Sequence, residues 1–464
     1  MSFCTSGLVA AEEGPPPEPF IVNMTPASSH SETALDGEPF LAVNPNDPDI
    51  MFATAFTPNS GGVFTKTAPI YYTIDAGRTW EHRSILDSEY RTRDVTVATG
   101  KVPKKLFAAL LRFPNYDFRL SVQRWDSPTG VLATELMTKT WVDQPYIHTT
   151  NDEENDVLLI GYNNVKASAT KTASIDVSKD GGASFSTTII EHRETPGRDG
   201  APVRVSAAPD GTVYAAFQGW RQKDTKGHVT SDIVVVRDDS HGASQFKDLD
   251  DPLDKLTGRV VLSTPILVNS EVSNLGCERV GSALSIAADP TNSDIVYLAW
   301  GDQSNEASVQ TLRVRRSADR GKSWSSDLVN IPDATNPALA VSETGVVAFA
   351  YQRYDQETDL WHTVISQSKD AFATRQDVEL GRTPDESPPC IDLPYVGDYM
   401  MVLAVGDVFR GVFAANNDPD MNHFPSGVVF QRPHDFGIKQ LQTSWGSVVE
   451  PSIDPYFYEV GVLP

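Results

Sequence analysis

Apolar and polar residues alternate along most of this chain in short runs, and the runs recur as a module. A polar turn leads into an alternating strand, which ends in a second turn. A strand rich in Ala, Val, Phe and Tyr follows, then a polar loop, a third strand, another turn and a last strand. The first strands of successive modules align as Glu38-Pro-Phe-Leu-Ala-Val-Asn-Pro45, Arg93–Thr99, Asp143–His148, Gly200–Ser206, Gly281–Pro290, Asn336–Ser342 and Val396–Val402. The second strands align as Met51–Phe56, Leu106–Leu111, Val157–Tyr162, Val213–Phe217, Ile295–Trp300, Val346–Tyr351 and Gly411–Ala415. Small residues crowd these strands, which suits elements converging where space is short.

Between the third and fourth strands the chain repeats one turn, with the pattern [ST]-x-D-x-G-x-x-[WF]. The copies are Thr73-Ile-Asp75-Ala-Gly77-Arg-Thr-Trp80, Ser178-Lys-Asp180-Gly-Gly182-Ala-Ser-Phe185 and Ser317-Ala-Asp319-Arg-Gly321-Lys-Ser-Trp324. A short hydroxyl, an Asp that bonds its own backbone and a Gly free to take φ > 0 make a turn, and the aromatic pins it to the sheet. Ser368-Lys-Asp370-Ala-Phe372 and the Asp238–Gly242 turn before Phe246 read as eroded copies.

This motif resembles the Asp-box, or BNR repeat, of the sialidase-like β-propellers. The resemblance spans Glu38 to Gln431 and is strengthened by Asn46-Asp-Pro48, Asp143-Gln-Pro and Gly397-Asp-Tyr399. Repeats fix architecture before any single site does. The expected fold is all-β, a propeller of four-stranded antiparallel blades, with seven blades favoured and six the alternative. The expected domains are a flexible, Pro-rich segment over residues 1–18 and one propeller over 19–464. Phe20-Ile-Val-Asn-Met24 is expected to pair with the last blade and close the ring, which removes exposed sheet edges.

Composition narrows the function. The chain has 464 residues, 62 acidic against 38 basic, for a formal charge of −24. That balance excludes nucleic acid as a natural partner, because phosphate binding needs a basic face. No apolar run is long enough to insert in a membrane. The surplus acid serves solubility in this reading. It offers calcium ligands without a specific calcium motif, and no other cofactor motif is present. Three cysteines, Cys4, Cys277 and Cys390, are too few for a disulfide scaffold. One Cys277–Cys390 bridge stays open, with free buried thiols the expectation. A secreted or extracellular location is expected, although no signal sequence is visible. Asn23-Met-Thr25 is a glycosylation sequon.

In such blades the loops leading into the first strand and out of the second share one face, opposite the Asp-box turns. Asp75, Asp180 and Asp319 therefore read as structural. The shared face collects Glu38, Arg93, Asp94, Asp143, Gln144, Arg198, Asp199, Arg279, Asp398 and Tyr399 from the first loops. It collects Arg112, Tyr162, Asn163, Asn164, Trp220, Arg221, Trp300, Asp302, Tyr351, Arg353, Tyr354, Asn416 and Asp418 from the second. Guanidinium, carboxyl, amide and aromatic groups around one axis suit a polyhydroxylated, acidic sugar. The bland reading is that Arg and Asp pair with one another to seal the channel.

The resemblance implies three Arg on a substrate carboxylate, a Tyr–Glu nucleophile pair and an Asp acid/base. Arg93, Arg112, Arg221, Arg279 and Arg353 are the arginine candidates. Tyr351, Tyr354 and Tyr399 are the tyrosine candidates, and Asp94 and Asp143 the acid/base candidates. The sialidase Phe/Tyr-Arg-Ile-Pro motif is absent, its place taken by Glu38-Pro-Phe-Leu. The expectation is thus a glycoside hydrolase of sialidase type on an acidic or polyhydroxylated sugar, with Tyr162, Trp220, Trp300 and Asp302 added as binding residues. The alternatives are a non-catalytic glycan- or protein-binding propeller and a polysaccharide lyase using His148 or a Tyr as base.

Overall fold

The computed structural model describes residues 18–464 apart from 30–34, 57, 60–62, 65–67, 86–90, 102–104, 114–116, 127–132, 153–154, 167–169, 269–274, 282, 305–308 and 391–394. The expected flexible segment falls outside the described residues except for Glu18, as does Cys4.

Seven antiparallel sheets stand around an axis. Their innermost strands are Gly37–Val43, Arg91–Thr99, Val142–Asn151, Val203–Ala207, Leu284–Ala288, Ala334–Val341 and Met401–Val405. Six blades run outward in chain order through four strands. In the seventh, Met401–Val405 pairs with Val408–Asn416, which pairs with Ile453–Gly461. The fourth place is taken by Phe20–Asn23, with Phe20 opposite Glu459 and Asn23 opposite Tyr456. Phe20–Asn23 thus closes the ring, as expected from the sequence. A segment over 417–452 has no counterpart in the other blades and was not read from the sequence. It packs Phe424, Phe430, Leu441 and Val449 against Phe413 and Tyr456.

The second strands are buried on both faces because a neighbouring blade covers each side, so they read as nearly continuous apolar runs. Asp156–Asn164 is buried at every position. Cores form between blades: Phe107, Leu111, Ile160 and Tyr162 fill one junction, and Tyr214, Ile233, Leu298 and Trp300 another.

The repeated turns share one hydrogen-bond plan. In the first, the Thr73 hydroxyl donates to Asp75 Oδ1 at 2.7 Å and accepts from Gly77 N–H at 3.2 Å, while Asp75 Oδ1 accepts from Thr79 N–H at 2.9 Å. Asp180 and Asp319 repeat it. The Ser184 hydroxyl and N–H, with the Ser178 hydroxyl, hold Asp180 down at about 2. These carboxylates are consumed within their own turns. The turn at Ser368 keeps the whole plan, Asp370 Oδ1 accepting from Thr374 N–H at 2.9 Å. It differs in placing Phe372 at φ 65°, where the others have Gly, and that ring packs on Phe349. In the first turn a Cβ on Gly77 would meet the Phe457 ring at 2.4 Å, so glycine is required there.

One sequence expectation is corrected. Cys277 and Cys390 are not free thiols but a disulfide, with Cα atoms 6.0 Å apart. The Asn23 sequon is sealed in the closure. Asn23 is buried and its amide donates to Asp454 Oδ2 at 2.8 Å. That carboxylate also accepts from Arg432 at 2.7 Å and Thr25 at 3.1 Å, and its other oxygen accepts from Ser452 at 2.8 Å. Asp454 and Arg432 have side-chain exposures of 0% and 1%. Removing one partner of so deeply buried a pair leaves an uncompensated charge. Asp454→Ala is expected to cost about 3–5 kcal/mol in denaturant unfolding. A loss under about 1 kcal/mol would show that the closure does not depend on this carboxylate.

Candidate functional site

The innermost strands do not enter the ring regularly. Pairing slips between Gly37 and Phe40, Thr92 and Val95, Asp143 and Tyr146, and Thr335 and Ala338. Three of these bulges place a non-glycine residue at positive φ directly before proline: Glu38 at 54°, Gln144 at 46° and Asn336 at 54°. Proline has no N–H to leave unpaired where the ladder breaks. Bulges re-aim side chains, and positive φ costs of order 1–3 kcal/mol unless the surroundings enforce it.

The surroundings do enforce it, with contacts that cross the mouth of the channel. Gln144 of the third blade donates to Asp398 Oδ2 at 3.0 Å, at the head of the seventh. Arg279, from the loop before the fifth blade, donates through Nε to Asp398 Oδ1 at 3.0 Å and through a second nitrogen to Oδ2. The same guanidinium lies 3.9 Å from Glu38 Oε1 of the first blade. Asn336 donates to the Gly397 carbonyl at 2.7 Å and to Gln352 at 2.8 Å. Gly397 has φ 89°, and a Cβ there would sit 2.4 Å from Glu38 N, so this approach admits only glycine.

Beneath these groups lies an aromatic layer. The Arg204 guanidinium stands 5.2 Å from the Tyr146 ring centre and 5.7 Å from that of Tyr399, and donates to Gln144 Oε1 at 3.2 Å. Phe40 packs edge-on to both rings. Below the layer the axial channel encloses about 800 Å³ and is lined by first-strand side chains, among them His148, Ser206 and Ser285. Burial brings His148 down to about 4, so its imidazole is neutral at pH 7.

Charge at the mouth is unbalanced. Glu38, Asp94, Asp143, Glu278 and Asp398 face the guanidiniums of Arg93, Arg204 and Arg279, and burial favours the protonated form of Glu38, Asp94 and Glu278. Burial raises Glu38, outweighing its hydrogen bond with Asp94 and the pull of Arg279. Burial and then the adjacent Glu38 charge hold Asp94 well above the carboxylate range. Burial pushes Glu278 up to about 8 although the Val396 and Arg279 N–H groups both donate to it. Tyr399 is raised by burial and by the Glu38 and Asp94 charges, so its phenol keeps its proton. Arg93, half-buried, stacks 5.0 Å from Phe113 and 5.2 Å from Phe118. Among the described residues no group of three or more His, Cys, Asp and Glu side chains is arranged to hold a metal ion.

Of the residues singled out from the sequence, Glu38, Arg93, Asp94, Asp143, Gln144, Arg279, Asp398 and Tyr399 meet here. Those on second strands do not. Tyr162, Trp300 and Tyr351 lie in cores between blades. Asp302 is buried under Trp300 Nε1 and Arg313 Nε, at 2.9 and 2.8 Å. Trp220 is buried, with the cations of Arg198 and Lys223 over its ring. Arg221 is held by Glu191 and Asp232 at 2.9 and 2.6 Å. Arg112 faces Glu135 at 3.6 Å, and Arg353 is exposed on the second strand of its blade. Tyr354 donates toward Asp359 and Asp385 rather than the axis. All of these are carried by second strands, one strand spacing of about 4.8 Å farther from the axis than the first. Arg204, Tyr146 and Glu278 were missed. The available signal was a charged residue between Val203 and Val205 in an innermost strand.

The chain matches no family model and no curated protein. Among solved structures it is similar to a mutant α-L-arabinofuranosidase of Fusarium graminearum in complex with an iminosugar inhibitor. The identity is 10%, 95% of this chain and 97% of that one are covered, and the TM-score is 0.46. It is similar to an α-L-arabinanase of Penicillium chrysogenum complexed with arabinobiose at 11% identity, with 94% and 97% covered and a TM-score of 0.46. It is also similar to Sqt1 of Chaetomium thermophilum at 12% identity, with 95% and 100% covered and a TM-score of 0.44. Likeness at this level does not bear on activity.

The Glu278 carboxyl gives the fold a pH dependence. Its folded pKa of about 8 lies above the value near 4.3 of an unfolded Glu. The folded state therefore binds this proton more tightly, and the resulting stability is full below about pH 4.3 and is lost as pH rises through 8. Glu278→Gln is expected to flatten the fall in melting temperature between pH 5 and 8. An unchanged slope would contradict the assignment.

Proposed function

We propose that the protein is a glycoside hydrolase acting on an acidic or polyhydroxylated sugar at the channel mouth. The observation that carries this reading is the buried, hydrogen-bonded Glu38–Asp94 carboxyl pair, in which burial favours the protonated form of both, beside the half-buried Asp143 and the partly open Arg279. A proton held on Asp94 is available to the departing glycosidic oxygen. Asp143 is the carboxylate left to act on the sugar ring, directly or through water. Arg93 and Arg279 supply guanidiniums for a substrate carboxylate, which would compete with Asp398 for Arg279. Tyr399, its phenol held protonated and facing the aromatic layer, reads as floor rather than nucleophile. This separates the site from a strict sialidase plan.

One observation favours a second reading, glycan binding without turnover. The Arg279 guanidinium is already engaged by Asp398, as in a mouth sealed by its own ion pairs. We further place the protein outside the reducing cytosol, a reading supported by its one disulfide.

A panel of aryl glycosides, including uronides and sialic-type acids, tests both readings. Asp94→Asn and Asp143→Asn are expected to lower kcat by about 10²–10⁴ on the substrate that is turned over, with melting temperature and secondary structure retained. Full activity in both variants would remove these roles. Binding of acidic glycans with no turnover by the wild-type protein would leave the second reading.

A further inference from the structure

Three consecutive residues before the fifth blade each bond to one segment before the seventh. Cys277 is joined to Cys390, across a sequence separation of 113. Glu278 Oε2 accepts from Val396 N–H at 2.8 Å. Arg279 Nε donates to Asp398 Oδ1 at 3.0 Å. The sixth blade stands between the fifth and the seventh, so the contacts clamp the heads of two blades over a third. On that third blade the loop also rests at one point. The Gly276 carbonyl accepts from Trp361 Nε1 at 2.9 Å, and a Cβ on Gly276 would strike the Trp361 and Tyr354 rings. Arg279 meets Asp398 and Glu38 with a side chain that is 38% exposed, so water competes for these ion pairs.

We propose that Cys277, Cys390 and Glu278 form a redox-sensitive staple that positions Arg279 at the mouth, so that breaking the disulfide releases the guanidinium without opening the ring. Cys390 is exposed and Cys277 half-buried, so a dithiol can reach the bond. One thiolate of the reductant attacks a protein sulfur, the S–S bond breaks and a mixed disulfide forms. The second thiol of the reductant resolves it. The protein gains two electrons and two protons as two thiols, and the reductant leaves as its cyclic disulfide. With the covalent tie gone, the loop is held by the hydrogen bond that Glu278 accepts from Val396, by the Gly276–Trp361 contact, by the buried Leu275 and Val280, and by a partly exposed ion pair. Cys277, Cys390 and Glu278 are positioning residues. The consequence for turnover rests on the glycosidase reading, whereas the consequence for the loop does not.

Backbone amide exchange tests the loop directly, in the oxidised protein, in the dithiol-treated protein and in the Cys277→Ser/Cys390→Ser double variant. Exchange at the Arg279 and Val396 amides is expected to rise by about tenfold or more while second-strand amides such as Ala348 stay protected. On any acidic glycoside turned over, KM is expected to rise roughly tenfold with kcat little changed, as loss of one charged contact in binding does. Unchanged exchange at Arg279 and Val396 with both thiols free would overturn the staple. So would loss of protection throughout the ring, which would make the disulfide a general stabiliser. Opened exchange in a protein that turns over no glycoside in any form would uphold the staple and sink the glycosidase reading alone.

Discussion

The hydrogen bonds of Asp454 to Asn23, Thr25, Arg432 and Ser452 lock the strand Phe20–Asn23, already paired along its backbone, onto the last blade, and the closure of the ring rests on this junction. Each blade buries its faces on its two neighbours. An open ring would expose one face at each end of the array, together with the outer edge of Ile453–Gly461. Closure by the chain's own start solves both problems. It also fixes how closely the inner strands approach, because seven blades leave a channel that first-strand side chains can line but not fill.

What happens at the mouth follows from that crowding. Chain segments from several blades arrive within contact distance of groups across the axis, as Gln144 does of Asp398 and Arg279 of Glu38. Regular strands would point these side chains into the blade junctions. The bulges at Glu38, Asp94, Gln144 and Asn336 point them at one another instead. Local rules are thus broken together in one place: positive φ before proline, carboxyls buried in excess of guanidiniums, and an arginine between two tyrosine rings. Concentrated violations of this kind are what a functional site costs a fold.

The architecture was legible because it is written many times over. Seven first strands and seven second strands showed the same alternation, and the repeated turn put Asp75, Asp180 and Asp319 opposite the mouth before any contact was known. The site was legible only in part. Arg93, Asp94, Asp143, Arg279 and Tyr399 stand at the heads of first strands, where position in the module is enough to find them. Tyr162, Trp300 and Tyr351 stand at the ends of second strands on the same side, and the module does not show that one further strand width turns them into blade cores. Arg204 was hidden because alternation gives two faces without saying which one meets the axis. The Glu-Pro, Gln-Pro and Asn-Pro pairs at 38, 144 and 336 were visible as residues, but their meaning is a backbone angle. Nothing in the spacing of Cys277 and Cys390 announces a bond, since the two loops meet only after the blades between them have folded.

The central claim is chemical: the mouth keeps a buried carboxyl group protonated at neutral pH, next to a guanidinium that a sugar acid can reach. Infrared spectroscopy of the carboxylic C=O stretch tests it without knowledge of any substrate. At pH 7 the wild-type protein is predicted to show protonated carboxyl absorption that is reduced in Glu278→Gln. A spectrum at that pH containing only ionised carboxylates would contradict the account.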